Sequence, residues 1–435
     1  MSVTSRTHHQ ALTAPRVQEG GGIQSIGFFF LCVFLFLGYS RLADSLLSNL
    51  YLPLMTSTLA LVVTIFGGGV PRALFSRTGI WLSLFSLWLL LAVPFSYWQG
   101  GSLQFLWDQW LKSFLVFVIV AGLIRTVRQS QVAMYSIAAA TITVLLMCLF
   151  IGGSSTEGRL VLEQGVLANP NDLAGLLIIG TPFLLLMAMR KGPVPLTRPI
   201  AAISIVGALV ATGATGSRGA LIAFACLTFV MFLNLSWSGK VKLLGAVALV
   251  LPLVVFYLSA EQRDRYLTIF GGQSEQVDAN DAAALGSTSQ RIYLLRQSID
   301  LSFTHPLFGV GPGVFAVASA ADTEREGQTA AWRETHNAYT QVSSEAGLPA
   351  LVFYLAALMS CFTVTRSTYK TALARGLVDT ANTSYCLWLS LIAFAVTACF
   401  SSVAYHLYFP TLAGLSVALS HSTRAELTAA PARAK

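Results

Sequence analysis

Charge is scarce in this chain. Only 11% of its 435 residues are Asp, Glu, Lys or Arg, where a soluble protein has roughly a quarter. The formal net charge of +8 is spread over basic residues that stand singly or in pairs between apolar runs. They form no basic patch, which excludes a nucleic-acid surface. The six cysteines, Cys32, Cys148, Cys226, Cys361, Cys386 and Cys399, show no Cys-x-x-Cys or Cys/His spacing. That argues against structural zinc and disulfides, and they read as small apolar packing residues. Short alternating segments are missing too, which excludes a β-barrel. No Asp-x-Asp pair stands on the outer side to hold a divalent metal, since Asp278 and Asp281 fall in a stretch expected to be flexible. No small-x-small cleavage motif follows the first apolar run cleanly, Ser40-Arg41-Leu42-Ala43 being a poor match, so that run reads as an uncleaved first span. No internal repeat is visible in the sequence, where inverted repeats can lie below detection.

Hydrophobic length is what the chain has. It is 55% hydrophobic with a mean hydropathy of +0.67, and runs of about 20 apolar residues recur along it, as spanning helices require. The reading is all-α, a polytopic membrane protein of about twelve transmembrane helices. They are expected near 23–40, 50–67, 79–97, 104–124, 131–151, 171–189, 199–213, 219–235, 241–259, 337–365, 382–400 and 403–420. With the N-terminus in the cytoplasm, alternate loops carry Arg72/Arg77, Arg125/Arg128, Arg190/Lys191/Arg198, Lys240/Lys242, Arg366/Lys370/Arg375 and Arg424/Arg433/Lys435. The opposite loops carry most acids, among them Glu157, Glu163, Glu261, Asp264 and Asp322. The positive-inside rule therefore puts both termini in the cytoplasm. The organisation follows: an N-terminal tail over 1–22, helices one to nine over 23–259, a large outer loop over 260–336, helices ten to twelve over 337–420, and a short cytoplasmic tail over 421–435. Within the outer loop, 271–289 is expected to be flexible and 289–303 to be an amphipathic helix.

Five places could carry chemistry. Gly213-Ala214-Thr215-Gly216-Ser217-Arg218-Gly219 is a glycine-rich turn opening a helix, where unpaired N–H groups and the Arg218 fork suit a phosphate. It lacks the Gly-Lys-Ser/Thr ending of a nucleotide loop, and a plain turn with Arg218 reaching to water also accounts for it. Arg291 and Arg296, five apart, diverge by about 140° on a helix, so one can face the bundle while the other faces solvent, although a solvated face accounts for either one taken alone. His305-Pro306-Leu307-Phe308-Gly309-Val310-Gly311-Pro312-Gly313 reads as a corner seating the outer loop on the bundle. Asn169-Pro170-Asn171 caps a helix, and both amides can also bind sugar hydroxyls. His336 opens the tenth helix, and His336, Thr340, Ser343 and Gly347 would form one polar stripe on it. A small-residue helix contact explains Ser343 and Gly347 but explains His336 poorly.

Gly-Ser-Arg-Gly around Arg218, the Arg291 helix, the 305–313 corner, and His336-Asn337 followed by Gly347 together resemble the bacterial O-antigen ligase family. That family also holds O-antigen and exopolysaccharide polymerases and protein O-oligosaccharyltransferases. The resemblance implies a GT-C-like membrane glycosyltransferase of the bacterial inner membrane with one large periplasmic loop over its site. It implies an undecaprenyl-diphosphate-linked glycan donor and a glycan or lipid A-core type acceptor. Inverting transfer, no metal and no cofactor are also implied. Arg218 and Arg291 match arginines that bind the diphosphate, and His336 matches a histidine that activates or positions the acceptor, with a pKa near neutrality. Arg159, Asn169, Asn171, Arg296, Asn337 and Tyr339 complete the expected substrate-binding set. The acceptor, and so ligase against polymerase against protein glycosylation, stays open. Outside enzymes, a transporter would need charges near the midplane of several helices and a repeated architecture. Here the charges gather at the outer rim. An assembly subunit whose arginines only contact partners is the other alternative.

Overall fold

A computed structural model describes residues 21–43, 50–155, 158–162, 165–190, 196–267, 279–325 and 333–429. Both chain ends, Glu157, Glu163 and the segment 271–278 lie outside the described residues. The protein is built from helices: α1 (Gly22–Ser40), α2 (Leu52–Phe66), α3 (Gly69–Leu74), α4 (Arg77–Ala92), α5 (Gln99–Leu123) and α6 (Val127–Phe150). They are followed by α7 (Pro170–Met189), α8 (Thr197–Ala214), α9 (Arg218–Asn234) and α10 (Trp237–Tyr257). Next come α11 (Ala260–Leu267), α12 (Ala279–Thr304) and α13 (Phe315–Arg325), then α14 (Ala338–Ala374), α15 (Val378–Thr397) and α16 (Tyr408–Ala429). One two-residue antiparallel pair, β1 (Gly153–Ser154) and β2 (Leu160–Val161), is the only sheet among the described residues. All six cysteines are free.

Each of the twelve expected spans is found as a helix. Eight helices among the described residues are long and apolar enough to cross a membrane: α1, α4, α5, α6, α7, α8, α10 and α14. Two more, α2 and α9, are apolar but shorter. The remaining two, α15 and α16, sit in the middle of the bundle, where protein covers them on most sides. Largely covered, they carry hydroxyls such as Ser390, Thr397, Thr411 and Ser416, each hydrogen-bonded to a backbone carbonyl. The opposite case is α10. Past Lys240 and Lys242 in its first turns it is apolar all round, yet none of its residues is buried. A helix with that surface is stable only in hydrocarbon.

Local chemistry sets the helix starts. Thr126 and Gln129 form a reciprocal capping box at α6, Asn169 caps α7 ahead of Pro170, and Asn337 caps α14 by accepting from the Tyr339 and Thr340 amides. Around the bundle axis, Phe85, Trp110, Tyr354, Tyr405 and Phe409 make an aromatic core of edge-on and stacked rings. It joins α4, α5, α14 and α16.

Two expectations are corrected. Residues 279–289 were expected to be flexible, but helix α12 already runs from Ala279. The alanines there are the best helix formers, and their propensity outweighs the few glycines and serines. The stripe drawn from His336 to Gly347 is not on one continuous helix. His336 stands before the cap at φ 53°, and Gly347 interrupts α14 at φ 83°, ψ 174°.

Candidate active site

The interruption at Gly347 organises the site. Where the helix ladder stops, carbonyls lose their intrahelical donors. The Val310 amide donates to the Ser344 carbonyl at 2.8 Å and the Gly311 amide to that of Glu345 at 2.9 Å. Trp88 donates its indole N–H to the Ala346 carbonyl at 3.0 Å. In return the Leu348 amide donates to the Pro306 carbonyl at 2.8 Å. The corner 305–313 is thus hydrogen-bonded into the break, as a seat for the segment before it. Gly309 and Gly347 are required there, because a Cβ at Gly309 would fall 2.3 Å from the Glu345 carbonyl carbon. The buried carboxylate of Glu345 then accepts from the Gly313 and Phe315 amides and so caps α13. Phe308 closes the corner by stacking on Phe95, ring centroids 4.1 Å apart. His305 serves the same corner, its Nδ1 within 3.0 Å of Thr304 Oγ1 and its ring edge-on to Tyr97.

This seat brings α12 against α14, where Ser302 and Ser343 hydroxyls meet at 2.7 Å. Along α12, Leu294, Ser298, Leu301 and Ser302 are buried. Arg291, three residues before Leu294, is half-buried on that side, whereas Arg296 is exposed. The divergence expected of the two arginines is found. Arg333 hydrogen-bonds Gln290, tying the segment before His336 to the residue beside Arg291.

His336 is half-buried and held at a positive φ of 53°, which costs a side-chain-bearing residue about 1–2 kcal/mol. Its surroundings hold it there. Ser402 Oγ accepts the His336 amide at 2.9 Å and lies 3.3 Å from Thr335 Oγ1. Asn337 donates its side-chain amide to the Cys399 carbonyl, and the Ala338 amide donates to that of Ala398. Tyr339 donates its hydroxyl to the Ala395 carbonyl at 2.8 Å. Asn337 and Tyr339, expected as substrate binders, are therefore engaged in fixing this loop to the end of α15. Burial, then the nearby Arg291 and Arg333 charges, lowers the His336 pKa to about 4. The expectation of a pKa near neutrality is corrected: the ring is neutral at pH 7, but weakly basic.

Arg218 opens α9 in the glycine turn, half-buried. The turn is fixed by three side chains that satisfy the last carbonyls of α8: Tyr266 donates to Gly213, Gln262 to Ala214 and Arg159 to Thr215, at 2.7, 3.0 and 2.7 Å. Arg159 is buried and also donates to Asn171 Oδ1, and Asn171 Nδ2 donates to Asn169 Oδ1. Three residues expected to bind substrate thus form one internal chain beneath the Arg218 turn. Next to Arg218, a Cβ on Gly219 would come within 2.5 Å of the Phe400 ring. Phe400 lies two residues before Ser402, the anchor of His336. The Arg218 turn and the His336 loop therefore rest on the same connection, 398–407.

A cavity of about 910 Å³ opens beside that connection. Its polar wall carries Arg41, Glu334, Thr335, Gln341, Ser402 and His406, and its apolar wall Phe34, Leu54, Leu61, Leu115, Val116 and Ile119. Thr335 and Ser402 both line it; Ser402 holds the His336 amide, and Thr335 bonds Ser402 and Asn337 on either side of that histidine. Burial and the Arg41 charge lower the His406 pKa to about 4. The sequence reading missed Arg41, Glu334, His406 and Ser402. Arg41 had a usable signal, as a cation on the acid-rich side of the first span. Ser402 had none, being one serine among many until its position opposite His336 is known.

Residues 202–355 match a family model described as O-antigen ligase, and the match takes in Arg218, Arg291 and His336. The family is one of O-antigen ligase- and polymerase-type membrane glycosyltransferases. No curated protein matches the chain.

Proposed function

Starting from a multi-pass membrane protein whose residues 202–355 match the O-antigen ligase family model, we propose that it transfers a glycan, with inversion and without a metal ion, from undecaprenyl diphosphate to an acceptor hydroxyl. The site lies at the periplasmic face of the bacterial inner membrane, with 260–336 on that side and both termini in the cytoplasm. What carries the reading is the convergence on one connection. The His336 loop is anchored to Ser402, Arg291 lies close enough to depress the ring's pKa, and the Arg218 turn packs on Phe400.

The chemistry follows from those positions. An acceptor hydroxyl attacks the anomeric carbon from the face opposite the leaving group, the bond to the diphosphate oxygen breaks, and the hydroxyl proton passes to His336. Arg218 and Arg291 receive the growing charge on the departing diphosphate, an interaction stronger in the transition state than before it. The same anion answers the weak basicity of His336. Burial is the larger cause of the low basicity, but a diphosphate on Arg291 offsets the part due to that charge, so the bound donor raises the basicity of the group that takes the proton. Arg159, Asn169 and Asn171 act by holding the Arg218 turn, and Arg296 meets the donor's glycan from the solvent side.

Reconstitution with an undecaprenyl-diphosphate glycan and candidate acceptors, read by mass spectrometry of the product, is the test. His336→Ala should lower transfer by about 10²–10⁴-fold. Arg218→Lys should also fail, because an ammonium cannot grip phosphate through two parallel bonds. EDTA should change nothing. Wild-type transfer by His336→Ala, or a loss on chelation restored by a divalent ion, refutes the mechanism.

A further inference from the structure

A second hollow, of about 330 Å³, lies at the end of the bundle away from His336. Three elements enclose it: the start of α4, the second half of α14 and the C-terminal half of α16. Arg77 and Arg424 line it, and none of its lining residues is acidic. Arg72 stands behind it, donating to Nδ1 of the lining His421 at 3.2 Å. The positive end of α4 opens here as well, with Ser76 Oγ satisfying only the Gly79 amide. Ser420 adds a separate observation. It lines the hollow, is 6% exposed, and has no hydrogen-bond partner among the described residues. The residue is buried but its oxygen opens into the hollow, where it can donate to a ligand acceptor. Every polar feature of the hollow therefore suits an anion with several oxygens.

The walls say what kind of anion. On α14 the outward stripe reads Val352, Leu355, Met359 and then Thr363 and Ser367, all exposed, so it turns from apolar to hydroxyl where it reaches the hollow. On α4 the exposed Ile80, Leu84 and Leu87 climb away from Arg77 in the same manner. These two helices pack on each other, with Thr78 Oγ1 2.9 Å from Ser360 Oγ. A soluble phosphate makes no use of such walls. We propose that the hollow binds the phosphate-bearing headgroup of an anionic membrane lipid, whose chains lie along the groove between α4 and α14. Basic pockets between helices commonly hold such headgroups. The site is independent of glycan transfer.

Purified protein, stripped in a neutral detergent, is titrated with phosphatidylglycerol, phosphatidylcholine or inorganic phosphate, and bound ligand is read by native mass spectrometry. Wild-type protein should retain phosphatidylglycerol, and the double variant Arg77→Gln, Arg424→Gln should bind it about ten-fold more weakly or worse. Phosphatidylcholine should be retained poorly by both. Ser420→Ala, which deletes a single hydroxyl and leaves folding alone, should weaken phosphatidylglycerol by a few-fold. Equal affinity in the wild type and these variants overturns the proposal. So does inorganic phosphate that occupies the site as readily as the lipid, which would make it a free-anion site.

Discussion

Replacing Gly347 by alanine tests whether the broken helix holds the site together. The added Cβ would fall 2.0 Å from the Leu307 carbonyl oxygen and 2.4 Å from its carbon. Both are backbone atoms, so no side-chain rotation relieves the clash. The residue's φ of 83° and ψ of 174° also lie where only glycine is comfortable, a strain of about 1–3 kcal/mol. If the chain yields by straightening α14, it loses the bonds from Val310, Gly311 and Leu348 across the break, each worth about 1 kcal/mol net. Keeping the break strained and straightening it are alternatives, so either route costs roughly 3 kcal/mol, at the upper end of ordinary single substitutions. Gly175, inside α7 with open space around it, is the matched control, since alanine there should gain up to about 1 kcal/mol. Denaturant unfolding of the two variants in one detergent gives the comparison. Because the corner also seats α12 and Arg291 beside His336, Gly347→Ala should lose transfer even where it stays folded. Stability within about 1 kcal/mol of wild type, or an equal cost at Gly175, would show that the break is not what joins α12 to α14.

Two further outcomes concern His336. Its folded pKa of about 4 lies below the unfolded value of 6.5. The neutral ring therefore contributes stability above pH 6.5 that is lost as pH falls through 4, and His336→Gln should remove that acid-side loss from the unfolding profile. Transfer at subsaturating donor should follow the same direction, its acid limb near 4 and not 6.5. Arg291→Gln should move that limb upward, and a limb unmoved would detach Arg291 from the ring. Ser402→Ala leaves the His336 amide without its acceptor, at about 1–3 kcal/mol, and frees the strained loop. Turnover should fall sharply and Ser402→Thr should restore it, whereas equal losses in both variants would count against the hydroxyl as the anchor.

The bundle was readable because hydrocarbon imposes a length on every span, and length survives in a sequence without knowledge of partners. Arg218 and His336 stood out in the sequence as rare polar groups at the ends of such spans, and Arg291 as a cation on the amphipathic outer-loop helix. The rest depended on pairing across long separations. Gly347 reads as one more small residue in a stripe until Pro306 and Leu307 are seen against it. Arg159 reads as a ligand-facing cation until Thr215 and Asn171 take its hydrogen bonds. Ala279 to Gly286 looked like linker composition, although alanine-rich stretches favour helix wherever one is already started. Arg41 and His406 come together with Glu334 only through the cavity, which no local pattern encodes.

The unburied helix α10 links two parts of the proposed site. It follows α9, which begins at Arg218, and leads into α11, whose Gln262 and Tyr266 grip the turn before that arginine. At 21 residues it is about 31 Å long, close to the roughly 30 Å thickness of a hydrocarbon slab. With little protein to hold its angle, acyl-chain length sets its tilt. Bilayers with shorter or longer chains should therefore retune the spacing at Arg218 and shift turnover, while the melting temperature of the bundle barely changes.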